Sequence, residues 1–298
     1  MNRLKQGALE LYRLATTPAR RALAARMARE GRAPIGVLFY HRVADSTPND
    51  WTMGTRTFER QVDWLTRHTD VISLEEAQRR IRQRDSHRVA SVITFDDGYA
   101  DNCEFAIPLL LRRNLPFTYF VSTDHLRDGI PFPHDVEAGE PLRCNSISEI
   151  KAMADAGVEI GAHTRTHADL GRSTDPDWLD EEIGGSVEDI KEWTGREVRS
   201  FAFPYGLPAN TSPEAFAAVR RSGIETVCTA YGAYNLPGSD QDPFHIRRVH
   251  ADPQWARFIN WMTIDPRKVR QTDPIDDSVA LAGAESACVA DEAEGASA

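Results

Sequence analysis

Residues 91–98 read Ser91-Val92-Ile93-Thr94-Phe95-Asp96-Asp97-Gly98, a β-branched and aromatic run that stops on two adjacent carboxylates and a glycine. A short run of this kind, apolar at consecutive positions, is the signature of a strand buried on both faces. Similar runs stand at 35–40, 117–121, 158–161, 199–203, 224–229 and 244–249. Helical patterns lie between most of them, near 57–68, 74–84, 103–113, 147–156, 177–194 and 213–222, with another at 252–263. Short buried strands alternating with helices predict a parallel α/β architecture. Seven strands fit a seven-stranded barrel better than a flat sheet, although periodicity alone leaves both open.

Working outward, the chain of 298 residues is long enough for one core domain of about 250 residues with extra ends. The reading divides it into a basic helical arm (1–33), a catalytic domain (34–270) and an acidic, disordered tail (271–298). The arm reads as two short helices, the second opened by Thr17-Pro18 and ended by Gly31. Residues 1–32 hold eight Lys/Arg against two Glu. Such an arm packs on the body or on a second subunit, or meets anionic lipid through Arg20, Arg21, Arg26 and Arg29. The tail after about residue 270 is Ala/Asp/Glu/Ser-rich without aromatics.

A net charge of −10 argues against general nucleic-acid binding, which needs a basic surface. No apolar run approaches the roughly 18–20 residues of a spanning helix. The scattered cysteines Cys103, Cys144, Cys228 and Cys288 form no C-x-x-C pair and read as reduced and structural. Without the continuous apolar core of a secretory signal, the expected location is the cytoplasm, or the periphery of the inner membrane face. Oligomeric state is not legible. Residues 122–146 and 231–243, rich in Gly, Pro and polar residues without periodicity, read as working loops, the first a candidate substrate loop.

The chemistry-bearing residues fall at the C-terminal ends of the expected strands, the edge where parallel α/β folds carry their sites. His41 follows the first strand, Asp96-Asp97-Gly98 the second, His163 the fourth and Pro204-Tyr205-Gly206 the fifth. Adjacent carboxylates repel unless a cation or hydrogen bonds compensate, although Asp-Asp-Gly alone is also a common turn. His163-Thr164-Arg165-Thr166-His167 places two imidazoles at i and i+4, able to meet one cation when the segment is a helical turn. Alone, it is equally a pair of surface histidines. Together they supply His-His-Asp, three ligands that leave a position open, which is the pattern of a catalytic site.

These motifs resemble the polysaccharide deacetylase family, carbohydrate esterase family four. The resemblance rests on Thr94-Phe95-Asp96-Asp97-Gly98, on His163-Thr-x-x-His167 after a Gly-x-Glu-Ile-Gly-Ala strand, and on Phe201-Ala-Phe-Pro204-Tyr205-Gly206. It covers roughly residues 35–260. Leu38-Phe-Tyr-His-Arg-Val43 and Phe58-Glu-Arg-Gln61 resemble its bacterial exopolysaccharide branch. The resemblance implies a distorted seven-stranded β/α barrel. It implies metal ligation by Asp97, His163 and His167, Asp96 as general base, and the Tyr205 backbone N–H as oxyanion donor. The metal is zinc by ligand type, with Co2+, Ni2+ or Fe2+ also accepted. The substrate is an N-acetylated carbohydrate, a polysaccharide or a lipid-linked precursor, from which an acetyl group is removed.

Two departures bear on the second shell. The family's third motif usually begins with an Arg that orients the base, and the aligned residue is Ala202. Arg248, in Ile246-Arg247-Arg248-Val249-His250, is the expected substitute unless these arginines only face solvent. The expected catalytic acid is His250, with His41 as rival, unless these are only packed structural histidines. Tyr99 and Tyr205 either stack on a sugar ring or belong to the core. Two other functions stay open: an amidohydrolase acting on a small cyclic amide or imide, and a sugar-binding pseudo-enzyme.

Overall fold

The computed structural model describes residues 3–238 and 241–272. Seven parallel strands close into a barrel: β1 (Ile35–Tyr40), β2 (Ala90–Phe95), β3 (Thr118–Val121), β4 (Glu159–Ala162), β5 (Ser200–Ala202), β6 (Thr226–Thr229) and β7 (His245–His250). Closure comes from β1, which pairs β2 on one side (Ile35↔Ala90 to Tyr40↔Phe95) and β7 on the other (Val37↔Arg248 to Phe39↔His250). The β4–β5 contact is a single residue pair, Ala162↔Phe201, so the ring is uneven around its circumference. A short strand, Asp70–Val71, adds to the N-terminal end of β2.

The period of two along each strand sorts side chains into two cores. Ile35, Val37, Val92, Phe120, Ala202, Cys228 and Ile246 fill the inside of the barrel. Leu38, Tyr40, Ile93, Phe95, Tyr119 and Val121 face outward against the helices. That is why β1 and β2 are buried at all six positions and read as continuous apolar runs. The same parity carries Asp96, His163 and Arg248 to the inner side at the C-terminal end. Small inward residues keep the interior passable: a Cβ on Gly161 would lie 2.4 Å from the Phe120 ring.

The helical arm differs from the sequence reading. It is one helix, α1 (Arg3–Arg29), which runs through Pro18 without a break. Proline removes one intrahelical bond and ordinarily ends or kinks a helix. Here tertiary contacts on both sides of Pro18 hold the two halves in line. Tyr12 donates its hydroxyl to Asp265 (2.8 Å). Arg20 is buried and donates to the Asn260 carbonyl (3.0 Å) and the Asn260 Oδ1 (2.7 Å), with Asp265 at 3.4 Å. Met27 packs with Tyr234, Leu236 and Ile264. Arg20 is therefore an internal anchor, not a lipid contact. Replacing it with Ala should cost about 2–3 kcal/mol, because Asp265 and Asn260 lose a charged partner. Urea unfolding followed by circular dichroism measures this.

The segment 122–146 also differs, since it is not structureless. It contains α-helices Thr123–Asp128 and Pro133–Glu137, each too short to show a periodicity. Phe132 between them is fully buried and stacks on His125 at 4.2 Å. In 231–243, Tyr234 and Leu236 are buried and Asn235 bridges to Ile35. Cys103, Cys144 and Cys228 are free thiols, and Cys288 lies outside the described residues. The acidic tail beyond residue 272 also lies outside them. Among the described residues no helix is long and apolar enough to cross a membrane.

Candidate active site

The strand ends converge on a cavity of about 640 Å3. Asp96, Asp97, His163, His167, Tyr205, Arg248, His41 and His250 all contribute to its lining, so the expected metal ligands and catalytic residues meet there.

Asp97, His163 and His167 each offer one ligand atom, and these atoms lie within 4.8 Å of one another. His163 Nε2 stands 3.5 Å and His167 Nε2 3.3 Å from Asp97 Oδ1. Nδ1 of His163 is 2.7 Å from the Ala202 carbonyl, an acceptor only, so Nδ1 carries the proton and Nε2 presents its lone pair to Asp97. Asp97 Oδ1 is buried and has no hydrogen-bond partner among the described residues. A buried carboxylate oxygen without a hydrogen-bond partner, facing two imidazoles, fits a divalent cation. Burial raises the Asp97 carboxyl, but the neighbouring imidazoles, His41 foremost, outweigh it and hold the group well below the usual carboxylate range.

The backbone is bent to make this geometry. Asp97 (φ 74°), Thr164 (φ 62°), His167 (φ 58°) and Tyr205 (φ 61°) all occupy the left-handed region, which non-glycine residues avoid and which gathers at functional sites. The histidine pair is thus not on a helical turn, contrary to the expectation from its spacing. Two left-handed residues fold the loop back instead. Glu182, on helix Pro176–Thr194, clasps that loop: its carboxylate accepts from the Arg165 N–H (3.2 Å), the Thr166 N–H (3.0 Å) and the Thr166 hydroxyl (2.7 Å). Sequence reasoning missed this residue. Its signal was a carboxylate within the buried face of Leu179, Ile183 and Ile190.

Arg248 is fully buried and forks onto Asp96, with Nη1 to Oδ1 at 2.6 Å and Nη2 to Oδ2 at 2.9 Å, while Nη1 also reaches the Thr94 hydroxyl at 3.1 Å. The guanidinium lies between the rings of Phe39 (5.0 Å) and Phe120 (5.4 Å). Small Ala202 and Cys228 on the two strands before β7 leave the interior open for it. Burial alone would lower its pKa, and Asp96 more than compensates. The arginines of β7 therefore do not face solvent. Arg247 is buried as well.

His41, His250 and Trp51 form a compact triangle, with the two imidazole centroids 4.7 and 6.0 Å from the Trp51 ring and 6.4 Å from each other. Burial pushes both imidazoles below the ordinary histidine value, opposed at His41 by Asp97 and at His250 by Asp252. Trp51, half open to solvent at 44%, sits in a stretch without strand or helix pattern and was not foreseen. The two tyrosines separate. Tyr99 is wholly buried and donates to Asp135 at 2.8 Å, so it belongs to the core. The ring of Tyr205 is exposed and stands 5.0 Å from His167. Next to it, Gly206 (φ 63°) is required, since a Cβ there would lie 2.8 Å from the Ala230 nitrogen.

The family model for polysaccharide deacetylase matches residues 83–227. That span, just under half of the chain, is similar to the polysaccharide deacetylase family. These proteins are hydrolases of carbohydrate esterase family four. The matched span contains Asp96, Asp97, His163, His167 and Tyr205, while His41, Arg248 and His250 lie outside it. Among curated relatives, Bacillus subtilis YxkH is 25% identical over 227 residues, 75% of this chain and 74% of that protein. The poly-beta-1,6-N-acetyl-D-glucosamine N-deacetylase of Staphylococcus epidermidis is 24% identical over 235 residues, 71% of this chain and 77% of that protein. The solved structure of IcaB from Ammonifex degensii superposes with a TM-score of 0.65 at 24% identity, over 77% of this chain and 97% of that one. That likeness carries the barrel. The site of this chain is read from its own geometry.

Proposed function

We propose that this protein removes N-acetyl groups from an N-acetylhexosamine in a polysaccharide or its lipid-linked precursor, using a divalent metal at Asp97, His163 and His167. The reading is carried by one observation: a buried carboxylate, Asp96, gripped at both oxygens by Arg248 and adjacent to a buried His-His-Asp cluster. The names of the S. epidermidis relative and the matching family support the substrate class. Zinc suits the ligand set, and cobalt, nickel or iron are accepted by the same donors.

A cation bound there supplies Lewis-acid polarisation of the acetyl carbonyl and acidifies water. The chain's own groups do the rest. Asp96 accepts the proton of the attacking water as the new C–O bond forms, and the Arg248 fork fixes the direction of its free lone pairs. The Tyr205 N–H donates to the oxyanion. His250 delivers a proton to the sugar nitrogen as the C–N bond breaks, leaving acetate and an amine.

Because the acid must be protonated and burial lowers His250, kcat/KM should fall as pH rises, with the midpoint below the ordinary histidine value of about 6.5. His250→Asn should lower kcat about 100-fold and remove that falling limb. If His41→Asn removes it instead, the acid is His41.

Acetate release tests the reaction itself. Metal-loaded protein is given chito-oligosaccharides, poly-N-acetylglucosamine, a lipid-linked N-acetylhexosamine and a cyclic imide. Acetate from at least one acetylated sugar is expected. Hydrolysis of the imide alone would replace this reading with the cyclic-amide one, and metal binding without any turnover would indicate a sugar-binding pseudo-enzyme.

A further inference from the structure

The cavity does not end at the reacting groups. Beyond the metal cluster its wall is built by α1 and by the helices Trp255–Met262 and Pro266–Thr272, through Leu9, Asn260, Trp261 and Lys268. Leu9 lies one turn before Tyr12 on the same face of α1, and Tyr12 is tied to Asp265. Asn260, also in the wall, is held by Arg20. Thus α1 is locked in place by the contacts that flank Pro18, and its first turns close the site.

The polar groups of that wall are engaged within the protein, and Leu9 and Trp261 supply its apolar surface. Lys268 places its ammonium 3.3 Å from the Trp261 ring centre, and Arg257 is paired with Asp252 at 3.0 Å. The surface around the mouth follows the same pattern. Three of the exposed large hydrophobic residues line this cavity. They are Trp51, Tyr205 and Leu207. An apolar rim gathered at one opening marks a binding surface. Since rim, wall and reacting groups share one cavity, their occupant is continuous with the reacting sugar.

We infer that the substrate is an amphipathic glycoside, with its acetamido sugar at Asp97, His163 and His167 and an alkyl chain along Leu9, Leu207 and Trp261. This rests on the deacetylase reading and narrows it to the lipid-linked form.

The test compares kcat/KM for methyl and octyl N-acetylglucosaminides, below the micelle concentration of the octyl compound, with a chito-oligosaccharide in parallel. Each methylene seated on the wall is worth roughly fourfold, so two or more should give an octyl-to-methyl ratio above about ten. In Leu9→Asp, and more weakly in Leu9→Ala, the ratio should fall toward one. It is read within each variant, so loss of folded protein cancels. Acetate from the methyl glycoside or oligosaccharide with a ratio near one would overturn the alkyl subsite and leave the deacetylase standing. A high ratio unmoved by both Leu9 variants would overturn the α1 wall. No acetate from any of the three would remove the deacetylase reading and this inference with it. Sedimentation showing a dimer that Leu9→Asp dissociates, with the ratio near one, would give the rim to a second copy.

Discussion

Asp97→Ala and His163→Ala proteins are expected to lose the metal and, with it, activity. Metal affinity should drop more than about 100-fold, since even groups that only orient ligands contribute 10–100-fold. kcat/KM should fall roughly 1000-fold or more, because loss of a single oxyanion donor already costs about 100–1000-fold. The asymmetry between the two positions is informative. Asp97 supplies a buried carboxylate oxygen without a hydrogen-bond partner among the described residues, so its removal deletes the negative charge that draws the cation in. His163 is oriented by the Ala202 carbonyl, so His163→Gln, which cannot repeat that arrangement, should resemble the alanine variant. Metal stoichiometry by elemental analysis, beside acetate release, checks both.

The second large effect concerns Asp96 and Arg248. Asp96→Asn should keep the metal and lose about 100- to 10,000-fold in kcat, the usual worth of a positioned base. Arg248→Ala should do more than lose activity. It leaves Asp96 buried without its cation, which costs about 3–5 kcal/mol in a pair of this kind. Arg248→Lys should not restore the enzyme, because an ammonium cannot reproduce a fork that grips both oxygens. The double variant Asp96→Asn/Arg248→Met separates structure from chemistry. Stability should recover in part, since the unpaired charge is gone, while activity stays absent. Urea denaturation and acetate release on the wild type, Asp96→Asn, Arg248→Met and the double variant read out the cycle. An active Asp96→Asn enzyme would remove Asp96 from the mechanism.

What could be read in the chain follows the range of the forces involved. Strands β1 to β7 were legible because burial on both faces writes itself as a local run, and Asp96-Asp97-Gly98 because it ends one of them. Period two along β7 put Arg248 on the inner side, but only the closure of β7 onto β1, and β1 onto β2, brings it to Asp96. The residues that escaped act through tertiary contact. Glu182 is 15 or more positions from the loop it clasps. Trp51 belongs to no periodic element. The unbroken course of α1 through Pro18 depends on Asp265 and Asn260, more than 200 residues away. The helical turn expected at His163–His167 failed because spacing of four is shared by helices and by tight loops, and the left-handed Thr164 and His167 chose the loop.

On the proposed function, N-deacetylation depends on a metal bound by the buried Asp97–His163–His167 cluster. Protein stripped with a chelator and reloaded with zinc in steps gives the most direct measurement, acetate released from an N-acetylglucosamine substrate against zinc bound. Activity should be absent from the stripped protein, rise in proportion to bound zinc and level off at one ion per chain. Full acetate release from metal-free protein, or a bound equivalent at this site that restores none, would contradict it.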